Sequence, residues 1–241
     1  MGELRAANEL KEHGAELEDP RIGPQSDHKP AYYERYHQRT REHGVSRPLY
    51  YLTRAVLQPA MQIYFRVRRY GKRYVPKHGA VIFAANHRSF LDPFVIGLLS
   101  RRPCYYVAKK ELFRNRLQGW FLNSLGAFPV DRGHSDEEML QTARAVLARG
   151  DCLVIFPEGT RATDEKLGFH RASKLPGGLL PTHHLLSPRP KGFAASVQGL
   201  REFVQAVYDL TLVYPNGAPS LIQLIRGDVP EVRMNVRRFP I

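Results

Sequence analysis

The stretch VIFAANHRSFLD, residues 81–92, decides how the rest of the chain is read. A run of small and apolar residues ends at Asn86-His87, and Asp92 follows the histidine by five positions. Short apolar runs bounded by polar turn residues are buried strands, so His87 is expected in the loop just past a strand's C-terminal end. In open α/β sheets that is where ligands bind. Asp92 precedes Pro93, and Asp-Pro followed by FVIGLLS reads as a helix N-cap with proline at the first helical position. A tight turn would then return a carboxylate to an imidazole as a base and its orienter. The same residues also fit a loop histidine beside an aspartate that merely caps a helix, and the twelve residues alone leave both readings open.

Downstream the pattern alternates. CYYVA (104–108), FPV (128–130) and CLVIF (152–156) read as strands, and PFVIGLLS (93–100) and a segment containing LQGWFLNSL (117–125) as helices. Ser135-Asp136-Glu137-Glu138 is a capping box opening a helix that runs to Arg149 and stops at Gly150. Strands alternating with helices argue for an α/β domain over residues 71–241, with a largely parallel or mixed central sheet flanked by helices. After Arg161 the signal weakens: Gly168, Pro176, Gly177, Gly178 and Pro181 allow only a short helix. HHLLS (183–187) and LTLVY (210–214) read as strands. Phe193, Val197, Leu200, Val204 and Val207 share one helical face, SLIQLIR (220–226) is a short helix, and VRMNVRRF (232–239) is a final edge strand.

Upstream, residues 48–70 form an amphipathic helical segment. Leu52, Val56, Ala60, Ile63 and Val67 recur at helical spacing, against a polar stripe of Arg54, Gln58, Gln62 and Arg66. Two arginines, two glutamines and Pro59 make it a poor transmembrane span. It fits a helix kinked at Pro59 that lies in a membrane interface, or one packed on the domain's own core. The cluster Arg66, Arg68, Arg69, Lys72 and Arg73 favours the interface, since each basic residue near an anionic leaflet contributes roughly 1 kcal/mol. Residues 1–47 are polar and broken by Pro20, Pro24 and Pro30, which makes them poorly ordered or only locally helical.

With 43% hydrophobic and 24% charged residues the composition is that of a globular protein. Its 36 Lys and Arg against 23 Asp and Glu give a net charge of +13, which calls for an anionic partner. Nucleic acid is not expected, because neither finger-spaced Cys and His nor an aromatic RNP stretch occurs. Cys104 and Cys152 both fall in expected strands and fit small core hydrophobes in a reducing compartment. The charged opening MGELRAANELKEHG lacks an apolar signal region, and no C-terminal membrane anchor is read. No G-x-S-x-G elbow surrounds Ser89, so that serine is a loop-supporting residue. Adjacent His183 and His184 on a strand would face opposite ways, which disfavours a metal site. Neither G-x-G-x-x-G nor a Walker-A sequence supports a nucleotide cofactor.

A second motif, FPEGTRA (156–162), leaves a strand into a Pro-Glu-Gly turn. Glycine permits close backbone approach to a ligand, and the Arg161 fork suits phosphate or carboxylate. Taken in order with NHRSFLD, AKKEL (108–112) and GAFPVDR (126–132), it resembles the glycerolipid acyltransferases, in particular the 1-acylglycerol-3-phosphate acyltransferases that make phosphatidic acid. The resemblance covers residues 48–239. LLSPRPKGF (185–193), AVYDLTLVY (206–214) and VRRFP (236–240) look like the subgroup containing lysophosphatidate and lysocardiolipin acyltransferases. The Pro- and Gly-rich stretch after Arg161 departs from the family pattern, as does the lack of the C-terminal transmembrane segments of longer relatives.

The resemblance implies that His87 acts as general base on an acceptor hydroxyl while Asp92 orients the imidazole and stabilises its cation. The hydroxyl would attack an acyl thioester directly, with no acyl-enzyme. Lys109 and backbone N–H groups near Val130 would stabilise the oxyanion. Arg161, in the loop with Glu158, Gly159 and Thr160, would hold the acceptor phosphate with help from Arg132. Arg88 fits a phosphate contact or a solvated charge equally. The resemblance also implies no metal and no cofactor beyond the co-substrate, acyl-CoA or acyl carrier protein. The expected partners are that thioester donor, a lysophospholipid acceptor and an anionic membrane surface, with the protein peripheral on the cytoplasmic side of a membrane. The alternatives are glycerol 3-phosphate or another lysophospholipid as acceptor, or a non-catalytic relative that only binds anionic membranes.

Overall fold

A computed structural model of the chain describes residues 30–130, 137–163, 165–168, 185–186, 190–215, 217, 219, 221–228 and 231–241. The elements in chain order are α1 (Pro30–His43), α2 (Arg47–Tyr64), β1 (Arg68–Tyr70), β2 (Val81–Ala85), α3 (Asp92–Gly97), β3 (Cys104–Lys109) and α4 (Arg116–Ser124). There follow β4 (Ala127–Val130), α5 (Glu137–Ala148), β5 (Cys152–Ile155), α6 (Pro190–Leu200), β6 (Ala206–Val213), α7 (Leu221–Arg226) and β7 (Arg233–Pro240).

Among the described residues seven strands form one mixed sheet, in the order β1-β7-β6-β2-β5-β3-β4. The five from β6 to β4 are parallel to one another. Only the β6–β7 pairing is antiparallel. The parallel centre requires apolar side chains on both faces, and β2 is buried at every position. Val81, Phe83 and Ala85 enter a core with Val95 and Ile96 of α3 and Met61 of α2. Ile82 points the other way, into a core with Ala143, Val146 and Leu147 of α5. Cys104 and Cys152 lie opposite each other on β3 and β5, both free and buried.

Several sequence expectations shift. VRMNVRRF is not an edge strand, because β1 pairs with β7 on its outer side. β1 takes residues 68–70 out of the segment read as one amphipathic helix, which ends at Tyr64. The helical face drawn from Phe193 to Val207 ends at Leu200, and β6 begins at Ala206, since the Ala206–Val213 alternation suits a strand beside β2. Leu185 and Leu186 are not in a strand, while His183, His184 and Ser187 of the HHLLS reading lie outside the described residues. So do Ser135 and Asp136 of the capping box, the segment 169–184 and residues 1–29. Glu137 and Glu138 do open α5, as the box requires.

Residues 30–43, part of the stretch expected to be poorly ordered or only locally helical, form a helix that packs on the domain. Tyr33 and Tyr36 of α1 join Phe113 and Ala127 in an aromatic cluster. The contact is pinned by Asn123, which is buried at the end of α4. The two hydrogens on its Nδ2 are shared among three acceptors, the carbonyls of Tyr36 (3.2 Å) and Ala127 (3.0 Å) and Thr40 Oγ1 (2.8 Å). Its Oδ1 accepts from Arg39 at 3.0 Å. Removing this amide leaves several buried polar groups unsatisfied. Asn123→Ala should therefore lower unfolding stability by about 2–3 kcal/mol, with α1 the first segment cut in limited proteolysis. A change within experimental error would mean that α1 docks through its tyrosines alone.

Candidate active site

Because β2, β5 and β6 are adjacent and parallel, their C-terminal ends open onto one edge of the sheet, and the residues that follow them meet there. His87 comes from β2, Phe156 and Glu158 from β5, and Tyr214 from β6. Asn86 clamps two of these ends: its Oδ1 accepts from the Leu212 N–H at 2.6 Å and its Nδ2 donates to the Leu212 carbonyl at 3.0 Å. The Ala162 N–H donates to the His87 carbonyl at 2.7 Å, tying the FPEGTRA loop to the NHRSFLD loop.

His87 Nδ1 lies 2.8 Å from Asp92 Oδ2. An ionised carboxylate only accepts, so Nδ1 carries the hydrogen and the lone pair is left on Nε2. The Asp92 side chain is fully buried, while that of His87 is 21% exposed. The same Oδ2 accepts the N–H groups of Arg88 (2.7 Å) and Ser89 (2.8 Å), and Oδ1 accepts the Tyr214 hydroxyl at 2.5 Å. These donors compensate a charge whose burial would otherwise be very costly. Asp92 is the first residue of α3 and Leu91 holds the cap position, so the expected N-cap role shifts by one residue. The reason is that the carboxylate serves the preceding turn and the imidazole instead. Phe156 stacks on the His87 ring at 4.3 Å and 24°, fixing its plane.

Glu158 is buried, and its Oε2 has no hydrogen-bond partner among the described residues. Burial pushes its carboxyl up to about 8, with the Asp92 charge adding to the rise against opposing pulls from the His87 and Leu186 backbone and from Arg88. It therefore stays largely neutral at neutral pH. Gly159 has φ +67, a conformation that favours glycine at the turn. Buried Thr160 accepts a hydrogen bond from Lys166 Nζ at 2.7 Å on its Oγ1.

His87 opens onto a cavity of about 560 Å³. Of the residues expected to bind substrate, Lys109, Thr160 and Arg161 line it. Glu158 and Gly159 shape the loop without lining the cavity, and Val130 pairs with Lys109 across β3–β4 but is not on the wall. Arg132 lies outside the described residues. The walls are otherwise largely apolar, with Leu57, Phe90, Phe94, Leu98, Leu112 and Phe121, in a size range typical of small-molecule sites. Among the described residues no group of three or more His, Cys, Asp and Glu is placed to hold a metal ion. The sequence reading missed Tyr214, Phe156, Arg54 and Lys166. Phe156 and Tyr214 close the stretches CLVIF and LTLVY, and only the strand order reveals that these ends converge.

The raised Glu158 carboxyl makes the stability of the fold depend on pH. Its folded value is raised from 4.5 to about 8, so the unfolded chain ionises first as pH rises. The stability contributed by the neutral carboxyl is complete below about 4.5 and is lost as pH climbs towards 8. Glu158→Gln should match the wild type in thermal unfolding near pH 4 and become progressively more stable than it by pH 8. A constant offset at all pH values would contradict the neutral-acid assignment.

A model of the Acyltransferase family matches residues 66–214. A protein of Arabidopsis thaliana named "Probable 1-acyl-sn-glycerol-3-phosphate acyltransferase 5" is 32% identical over 175 residues, covering 68% of this chain and 47% of its own length. The 1-acyl-sn-glycerol-3-phosphate acyltransferase of Bacillus subtilis is 34% identical over 100 residues, 41% of this chain and 50% of its own. The chain thus spans about half the length of these relatives. The crystal structure of the 1-acyl-sn-glycerophosphate acyltransferase from Thermotoga maritima aligns with a TM-score of 0.48 and 18% identity, covering 77% of this chain and 68% of that one. Since the matched region encloses His87, Asp92, Glu158 and Arg161 and ends at Tyr214, the chain belongs to the acyltransferase family.

Proposed function

We propose that this chain transfers a fatty acyl group from an acyl thioester, acyl-CoA or acyl carrier protein, to the free hydroxyl of 1-acylglycerol 3-phosphate, giving phosphatidate. The observation that carries this reading is the His87–Asp92 pair, set at the mouth of an apolar cavity that also presents Lys109 and Arg161. Nε2 of His87 takes the hydroxyl proton as the oxygen attacks the thioester carbonyl. Asp92 stabilises the imidazolium so formed. Lys109 lies on the same cavity wall and stabilises the oxyanion of the tetrahedral intermediate. The carbon–sulfur bond then breaks, and the proton held on His87 passes to the leaving thiolate. Arg161, exposed at the rim, holds the acceptor phosphate, and the apolar walls accommodate the alkyl chains. The names borne by the matched relatives support this acceptor.

The reading includes a peripheral position on an anionic membrane. No helix among the described residues is long and apolar enough to cross a membrane. In α2 the amphipathic pattern is turned outwards. Leu52, Val56 and Ile63 are 64%, 65% and 78% exposed, while Arg54 faces inwards and donates to the carbonyls of Gly97 and Ser100 at 2.7 Å each. The helix docks on the domain through Tyr50 and Met61 instead, leaving the apolar stripe of Leu52, Val56 and Ile63 outside the core. On α4 Leu117 and Trp120 are exposed, and Phe90, Leu112 and Phe121 both line the cavity and reach the surface. An apolar apron of this kind fits a lipid interface from which acyl chains enter the cavity without crossing water.

In mixed micelles containing acyl-CoA and lysophosphatidate, His87→Ala should lower phosphatidate formation at least ~100-fold while vesicle binding is retained. Turnover within a few-fold of the wild type would refute the base. Full activity on another acceptor without any phosphatidate would refute the substrate.

A further inference from the structure

One aromatic residue beside the dyad has no part in the mechanism above. Tyr214, buried just beyond β6, donates its hydroxyl to Asp92 Oδ1 at 2.5 Å, on the opposite side of the carboxylate from the imidazole. His87 Nδ1 and the N–H groups of Arg88 and Ser89 all meet Oδ2. The Asn86–Leu212 clamp sets the end of β6 two residues before the tyrosine, so the phenol reaches the carboxylate from a fixed strand rather than from a free loop. Burial, with the Asp92 charge adding, holds the phenol well above its usual range, so it remains a donor wherever a histidine titrates.

We propose that Tyr214 is a positioning residue of the acyl-transfer site, whose hydroxyl fixes the rotation of the Asp92 carboxylate and draws off part of its charge, thereby setting the proton affinity of His87. The inference rests on the reading of His87 as the base. With donors on both oxygens, the carboxylate cannot turn without breaking a charge-assisted hydrogen bond. Oδ2 is thereby held against Nδ1. A carboxylate sharing its charge with a phenol also attracts an imidazolium less strongly than the same carboxylate without that donor. The other charged groups around the pair are Arg88 in the same loop, Glu158 after β5, and Arg54, Lys109, Arg161 and Lys166 around the cavity. Replacing the phenol hydroxyl leaves all of them in place.

The test is acyl transfer from acyl-CoA to lysophosphatidate as a function of pH, with three proteins: the wild type, Tyr214→Phe, and a protein carrying a fluorinated tyrosine at position 214. Tyr214→Phe should lower kcat about ten-fold, as expected for losing one hydrogen bond to a charged group, with KM for both substrates unchanged. The acid limb of its pH profile should move to higher pH. Ring fluorines make the phenol a stronger donor, so the fluorinated protein should keep its turnover and move the acid limb to lower pH. In a His87→Ala background, Tyr214→Phe should cause no further loss. Acid limbs that stay in place in both replacements would overturn the proposal, as would an equal loss with and without His87. If Tyr214→Phe fails to fold, the direction of the fluorinated protein's limb decides alone. Full turnover by His87→Ala would instead sink the base itself, which separates that failure from this one.

Discussion

A single buried negative charge organises the site. Asp92 has no solvent exposure, so its carboxylate is sustained only by donors brought to it from the surrounding chain. Those donors come from the turn after β2 and from the end of β6, and the imidazole they serve is stacked against the end of β5. The parallel centre of the sheet makes this convergence possible, because it delivers three C-terminal strand ends to one edge. The imidazole proposed as the base then sits where donors with fixed geometry already exist, and in that role it needs little reorganisation when charge develops on the ring.

The second carboxyl of the site behaves in the opposite way. Glu158 is nearly as buried as Asp92 but has one oxygen without a partner among the described residues, and burial keeps it neutral. The difference lies in the donors: Asp92 meets a donor at each oxygen, whereas burial of Glu158 is not offset and keeps its carboxyl protonated. Glu158 sits in the loop that carries Thr160 and Arg161 to the cavity, while Asp92 is hydrogen-bonded to the imidazole of His87. A second negative charge beside the dyad would favour the imidazolium before reaction and leave less of His87 free to accept a proton, so neutrality at Glu158 is consistent with the chemistry proposed for His87.

Much of this was legible in the sequence, for reasons that can be named. The VIFAA strand, the return of Asp92 to His87 and the FPEGTRA turn depend on local apolar runs and turn residues, and the structure contains all three. What was not legible depends on strand order. LTLVY reads as a strand, but nothing in its spacing tells that β6 lies beside β2, so Tyr214 gave no signal as a partner of Asp92. β7 could not be recognised as internal, because three residues of β1 cover its outer edge. The Val204 and Val207 positions fit a helical face by periodicity, and pairing with β2 overrode it at Val207. For α2 the periodicity was right and its direction was the open question: spacing identifies an apolar face but not which side the core occupies. The docking of α1 through Asn123 was hidden because a buried asparagine looks in sequence like any exposed one.

The central claim is that the Asp92 carboxylate holds His87 with its hydrogen on Nδ1 and its lone pair on Nε2. Asp92→Asn preserves the shape while removing the charge, and its amide nitrogen favours the opposite tautomer if it faces the ring. The most direct measurement is therefore single-turnover acyl transfer from acyl-CoA to lysophosphatidate by the folded Asp92→Asn protein. The account predicts a loss of at least ~100-fold relative to the wild type, whereas turnover within a few-fold of it would contradict the account.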